Sequence, residues 1–212
     1  MSGTSAEPFE HHYLLQNCNG TSIQKRFVAA PLPYEGLEKS NERFQVVRIG
    51  NDTTYVYKDF TGNQLFSEEK ILTQVYQVKD KLSIFEWKIS ADTVTILQYQ
   101  CKKATTNFRG RTYEAYFTED IPIPDGPAKF NGLPGLILRV KMIDDKSFYS
   151  IEATKLSITN ESKVLVNPFS GEKTMRYEEF KKLYLRKYSE MEAYSQTTDG
   201  IKVHRVGVEV IE

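Results

Sequence analysis

The side chains able to do chemistry are few and scattered. There are three histidines, His11, His12 and His204, and two cysteines, Cys18 and Cys101. Imidazole nitrogen and thiolate are the donors that a borderline or soft metal selects. His11 and His12 with Cys18, joined by Cys101 if the fold brings it near, would be the donors of a metal-handling protein. Their spacing matches no established ligand pattern, and there is no CxxC pair, so neither a metal site nor a cofactor is expected. His204 alternates with Val203 and Arg205 and reads as an ordinary strand residue. Cys101 has Lys102 and Lys103 beside it, and a neighbouring ammonium lowers a thiol pKa. In a strand, Lys103 shares the face of Cys101 while Lys102 points the other way. An enzyme site built on Cys101, Lys103, Arg111 and Glu114 is one reading; a buried or disulfide-bonded Cys101 is preferred to it. The strings GxSxG, HExxH, GxxxxGK[ST] and GxGxxG are absent. The carboxylate pairs Glu68-Glu69, Glu119-Asp120 and Asp144-Asp145 fall at expected turns and read as solvated.

Polar recognition is better served by the basic and aromatic cluster Lys102, Lys103, Phe108, Arg109, Arg111, Tyr113 and Tyr116. Arginine offers a forked donor for carboxylate or phosphate, and tyrosine a flat amphipathic surface. The ligand-binding candidates taken forward are Lys103, Arg109, Arg111, Tyr113 and Tyr116, with Phe130 and Leu133 from the segment described below. The competing reading is a solvated hairpin with ordinary cross-strand pairs.

The elements that must position these residues are mostly strands. Short β-rich runs at 44–49 and 53–60 are separated by Gly50-Asn51-Asp52, a turn signal, and Thr61-Gly62-Asn63 closes the second. Residues 71–78 and 82–89 form a further pair, and 93–102 with 111–118 a third, joined through Asn107-Phe108-Arg109-Gly110. Strands follow at 136–143, 147–154, 163–166 and 201–211. One helix is expected at about 175–195. Phe180, Leu183, Tyr184, Tyr188, Met191 and Tyr194 recur at helical spacing, Thr174 is placed as N-cap, and 197–200 stop it. The expected fold is mainly β (α+β), a curved antiparallel sheet or half-barrel with that helix packed on it and a final strand. Residues 1–40 read as an irregular N-terminal segment and 41–212 as a single antiparallel β domain.

The unusual stretch is 121–138, where Pro122, Pro124, Pro127 and Pro134 alternate with Gly126, Gly132 and Gly135. It can be neither ordinary helix nor central strand, and reads as a rigid connection that plugs a sheet end or shapes a binding mouth. Gly132-Leu133-Pro134-Gly135-Leu136-Ile137 is the string that names the GLPGLI family. Trp87-Lys88-Ile89, Tyr99-Gln100-Cys101-Lys102-Lys103-Ala104-Thr105, Gly110-Arg111, Ala115-Tyr116-Phe117-Thr118, Ile121-Pro122 and Gly126-Pro127 are also similar to that family. The chain therefore resembles GLPGLI proteins over about residues 53–155. The resemblance implies an envelope or secreted protein of Bacteroidetes-type bacteria, in the periplasm, on the outer-membrane surface or released, and carries no catalytic motif.

Acidic and basic residues balance at 28 each, so there is no global pull on nucleic acid or anionic lipid, and no nucleic-acid partner is expected. No apolar run approaches membrane-spanning length, and residues 1–7 show neither a basic nor an apolar signal region. Cys18 and Cys101 are roughly 80 residues apart in sequence; a disulfide closing that loop would be worth ~4 kcal/mol, and whether they pair stays open. The functional expectation is a non-enzymatic envelope protein that binds an apolar or amphipathic ligand, or a partner protein, in the concavity of the sheet.

Overall fold

A computed structural model describes residues 11–27, 54–71, 73–82, 84–143, 149–169 and 173–197. The strands, in chain order, are β1 (His12–Cys18), β2 (Thr21–Phe27), β3 (Tyr55–Asp59), β4 (Gln64–Ile71), β5 (Gln74–Asp80), β6 (Lys88–Ile96), β7 (Tyr99–Phe108), β8 (Arg111–Thr118), β9 (Leu136–Met142), β10 (Ser150–Glu152) and β11 (Met175–Arg176), followed by helix α1 (Tyr177–Thr197). They divide between two sheets. The first has the order β1-β2-β3-β4-β5-β11 and the second β10-β9-β8-β7-β6. Pairing is antiparallel throughout except for β11, which runs parallel to β5. The described residues are thus α+β, with mostly antiparallel sheets and one C-terminal helix packed on the first of them.

Tight turns set the registers. Asn19-Gly20, Leu97-Gln98 and Arg109-Gly110 all have positive φ at both central residues, the two-residue hairpin geometry whose twist matches that of the strands it joins. Asn-Gly is the strongest dipeptide signal for such a turn, and it makes a β1–β2 hairpin inside the stretch expected to be irregular. Leu97-Gln98 carries no such signal, so the strand expected at 93–102 is instead the end of β6, a turn and the start of β7. The strand expected at 71–78 likewise straddles the β4–β5 hairpin. Residues 81–82 and 84–87, between the two sheets, form no strand, and neither do 163–166. The expected strands at 44–49 and 201–211 lie outside the described residues.

Helix α1 begins at Tyr177 rather than after a Thr174 cap. The backbone N–H of Arg176 donates to Oε2 of Glu179 at 3.2 Å, the carboxylate arm of a capping box. Its Tyr177, Phe180, Tyr184 and Tyr188 pack with Ile71 and Val78 of the first sheet, as helical periodicity requires.

Residues 121–135 join the sheets without regular structure. Ile137 N–H donates to the Asp125 carbonyl and Leu136 N–H to that of Ile121, which ties the segment to β9. On the other side, Lys58 of β3 drives its ammonium into the segment. Nζ lies 2.7 Å from Oδ1 of Asp125, 2.6 Å from the Gly126 carbonyl and 3.0 Å from that of Phe130. Three donors meet three acceptors, and Asn17 donates to the second Asp125 oxygen. The ammonium and carboxylate are sealed, at 1% and 0% exposure. Burial pulls Lys58 down from the ordinary lysine range, and the Asp125 charge opposes that shift. Gly135 is required sterically, since a Cβ there would lie 2.1 Å from the Thr118 carbonyl oxygen.

Candidate functional site

The second sheet has two unlike faces. One carries the main apolar cluster, with Ala104, Phe108, Tyr113, Ala115, Phe117, Ile137, Val140 and Met142 covered by Phe130 and Leu133 from the 121–135 segment. The opposite face is apolar only at one end, where Ile96, Cys101, Leu136 and Leu138 meet Ile121. Its other end carries charge. Alternation puts Lys103 on this face with Cys101. The register then sets Lys103 opposite Tyr116, Tyr116 opposite Arg139 and Arg139 opposite Glu152. One transverse row therefore crosses β7, β8, β9 and β10, with Glu114 two residues along β8.

The row is tightly bonded. Lys103 Nζ lies 2.9 Å from Oε1 of Glu114 and 3.6 Å from a carboxylate oxygen of Asp92. Tyr116 donates its hydroxyl to Oε2 of Glu114 at 3.2 Å. Arg139 holds Glu152 through two parallel hydrogen bonds of 2.6 and 2.9 Å, and its guanidinium lies 5.4 Å from the centre of the Tyr116 ring. The hydrogen bond to Glu114 raises the Lys103 pKa. Burial, then the charge of Glu114, raises that of Tyr116, so its hydroxyl stays protonated. Arg139 holds Glu152 below the usual carboxylate range. The result is a rigid set of donors (Lys103, Arg139) and acceptors (the Tyr116 oxygen, Glu114), suited to hydroxyl and amide groups.

Of the seven ligand-binding candidates, only Lys103 and Tyr116 meet here. Tyr113, Phe130 and Leu133 are core residues, and the Tyr113 and Phe130 rings pack edge-on at 4.9 Å. Arg111 is half-buried on the opposite face of β8. Arg109 turns away to the first sheet. It pairs with Asp80, lies between the rings of Phe108 and Tyr177, and lines a cavity of about 390 Å³ beside the start of α1. Arg139 and Glu152 were missed. Their signal was available, since Arg139 is the one charge within the buried stretch 136–140.

Cys101 is fully buried, and burial pushes its thiol pKa up, which removes the cysteine version of an enzyme site. Neither cysteine is in a disulfide; Cys18 sulfur accepts the Lys163 N–H at 3.4 Å. His11 and His12 are exposed, and the described residues contain no group of three His, Cys, Asp or Glu side chains placed to hold a metal. No helix among them is long and apolar enough to cross a membrane.

A search of curated proteins finds no match. The chain is similar to a solved structure of PNGF-II, at 19% identity and a TM-score of 0.54 over 85% of this chain. A second crystal form of that protein aligns at 18% identity, a TM-score of 0.46 and 84% coverage. The first likeness speaks to fold alone, and the chain spans 31% of the PNGF-II chain in the first and 32% in the second. A family model described as N-glycanase peptide, N-terminal domain, matches residues 38–178. It overturns the GLPGLI resemblance, together with the Bacteroidetes-type assignment and the non-enzymatic binding role. The string that suggested it answers to local packing: Leu133 and Ile137 fill the core, and Gly135 touches a carbonyl. By the extent of that match, the chain belongs to the family of N-glycanase N-terminal domains.

Proposed function

We propose that this chain takes part in the enzymatic removal of N-linked glycans from polypeptides. The observation that carries the reading is the family match over residues 38–178, which includes every residue of the row from Lys103 to Glu152. The chemistry of the row supports it. An N-linked glycan presents hydroxyls, acetamido groups and the amide of its linkage to asparagine. Lys103 and Arg139 are donors for the oxygens of such groups, the Tyr116 oxygen can accept a hydrogen, and Glu114 accepts from hydroxyl or amide hydrogen. All four sit on strands, so their positions are fixed before substrate arrives. A role on N-glycosylated polypeptides also fits a place outside the cytoplasm, in the periplasm or secreted.

The test is glycan release from an N-glycosylated protein, followed by mass spectrometry of the released sugar. Because the chain spans less than a third of PNGF-II, the assay is run on this chain and on the protein isolated from its host. Release by either form, weakened in Glu114→Gln and Arg139→Ala, is the expected result. Absence of release from both forms sinks the reading.

A further inference from the structure

The cavity beside Arg109 belongs to no part of the row, and it joins three pieces of chain distant in sequence. The end of β5 supplies Asp80, the β7–β8 turn supplies Phe108, Arg109 and Gly110, and the first turns of α1 supply Tyr177, Glu178 and Lys181. Its volume of about 390 Å³ falls in the range of small-molecule sites.

Backbone and side chain are both committed at Arg109. Its φ is +46°, a left-handed conformation that is unfavourable for a residue other than glycine, asparagine or aspartate. The guanidinium is fixed by Asp80 and lies 3.2 Å from the centre of the Tyr177 ring and 4.6 Å from that of Phe108. One wall is thus preorganised. The rest of the charged lining is different. The side chains of exposed Glu178 and half-buried Lys181 line the cavity without a hydrogen bond or ion pair to any described residue.

The lining selects the chemistry of the occupant. Two carboxylates, Asp80 and Glu178, face two cations, Arg109 and Lys181, so the charges cancel. An anion or a cation entering would meet a like charge wherever it met an opposite one. A neutral group rich in hydroxyls, each able to donate and accept, satisfies both signs. Ile84 and the two rings give it an apolar surface. We propose that this cavity binds one neutral sugar unit of the glycan, with Lys181 and Glu178 as its hydrogen-bonding partners. The inference rests on the deglycosylation reading and adds to it a second glycan contact, remote from the row in chemistry and location.

The experiment is an NMR titration of the chain with the pentasaccharide core of N-linked glycans, repeated on Lys181→Ala, Glu178→Gln and the control Lys102→Ala. Lys181 and Glu178 are outside the hydrophobic core, so these variants keep the fold, which their spectra verify. The expected result is displacement of the Gly110 and Lys181 amide signals, with affinity about tenfold lower in either cavity variant and unchanged in the control. Equal affinity in all variants, displacement confined to the face of Tyr116, or no displacement overturns the proposal. Glycan release is measured separately. Release without cavity binding removes the subsite and keeps the function, whereas cavity binding without release does the reverse.

Discussion

Lys58 with Asp125 and Lys103 with Glu114 are the same pair of functional groups at nearly the same distance, 2.7 and 2.9 Å, yet they do different work. The first pair is sealed, and every donor on the ammonium is used within the protein. The second is partly open, at 26% and 20% exposure, and it belongs to a row of polar side chains across four strands. A salt bridge is therefore no sign of function in itself. What distinguishes the two is whether a substrate atom could displace a partner without leaving a charge in the dry interior.

The difference is large enough to measure. Asp125→Ala leaves the Lys58 ammonium buried without its counter-charge and should lower stability by about 3–5 kcal/mol, read as a shift in urea midpoint. Asp125→Asn, which keeps an acceptor, should lose less. Equal, small losses in both would mean that the pair is not sealed. Gly135→Ala tests the same joint without touching charge. Its Cβ would run into the Thr118 carbonyl, and a loss of about 1–3 kcal/mol is expected.

On the open face the expected losses shrink. Glu114→Gln should change stability by less than about 1 kcal/mol. It should also lower the Tyr116 pKa, because the carboxylate charge that helps raise it is gone; NMR titration of the ring reads this. The smallest effect is at Glu152. Its folded pKa lies below the ordinary value near 4.5, so its contribution to stability is present above that value and is lost as pH falls through the folded one. Since Glu152 is 43% exposed, the gap between the protein and Glu152→Gln should be under about 1 kcal/mol at neutral pH. It should close on acidification as the folded carboxylate takes up its proton, below 4.5.

These pairs also show what a sequence can reveal. The mainly antiparallel fold and the aromatic helix were legible because alternation and 3.6-residue periodicity are local. The hairpin at Arg109-Gly110 was legible from its glycine. Leu97-Gln98 was not, because neither residue favours positive φ and only the pairing of the flanking strands holds them there. The site divided in the same way. Lys103 and Tyr116 could be named from their types, but their union with Arg139 and Glu152 depends on register across three strand pairs. Phe130 and Leu133 resembled ligand contacts because a binding mouth and a core plug use the same residues. Lys58 and Asp125, 67 residues apart, gave no local signal.

The 121–135 segment has one further consequence. Among the described residues four apolar clusters lie on or beside the two sheets, one of them under the helix, and separate clusters could melt separately. Asn17, Gln24 and Lys58 of the first sheet all bond to this segment, while β9 of the second takes its carbonyls. Neither sheet can open without breaking bonds that the other also relies on. Heat or denaturant should consequently take the molecule apart in one transition, with the amides of Ile137 and Gly126 among the slowest to exchange with solvent deuterium.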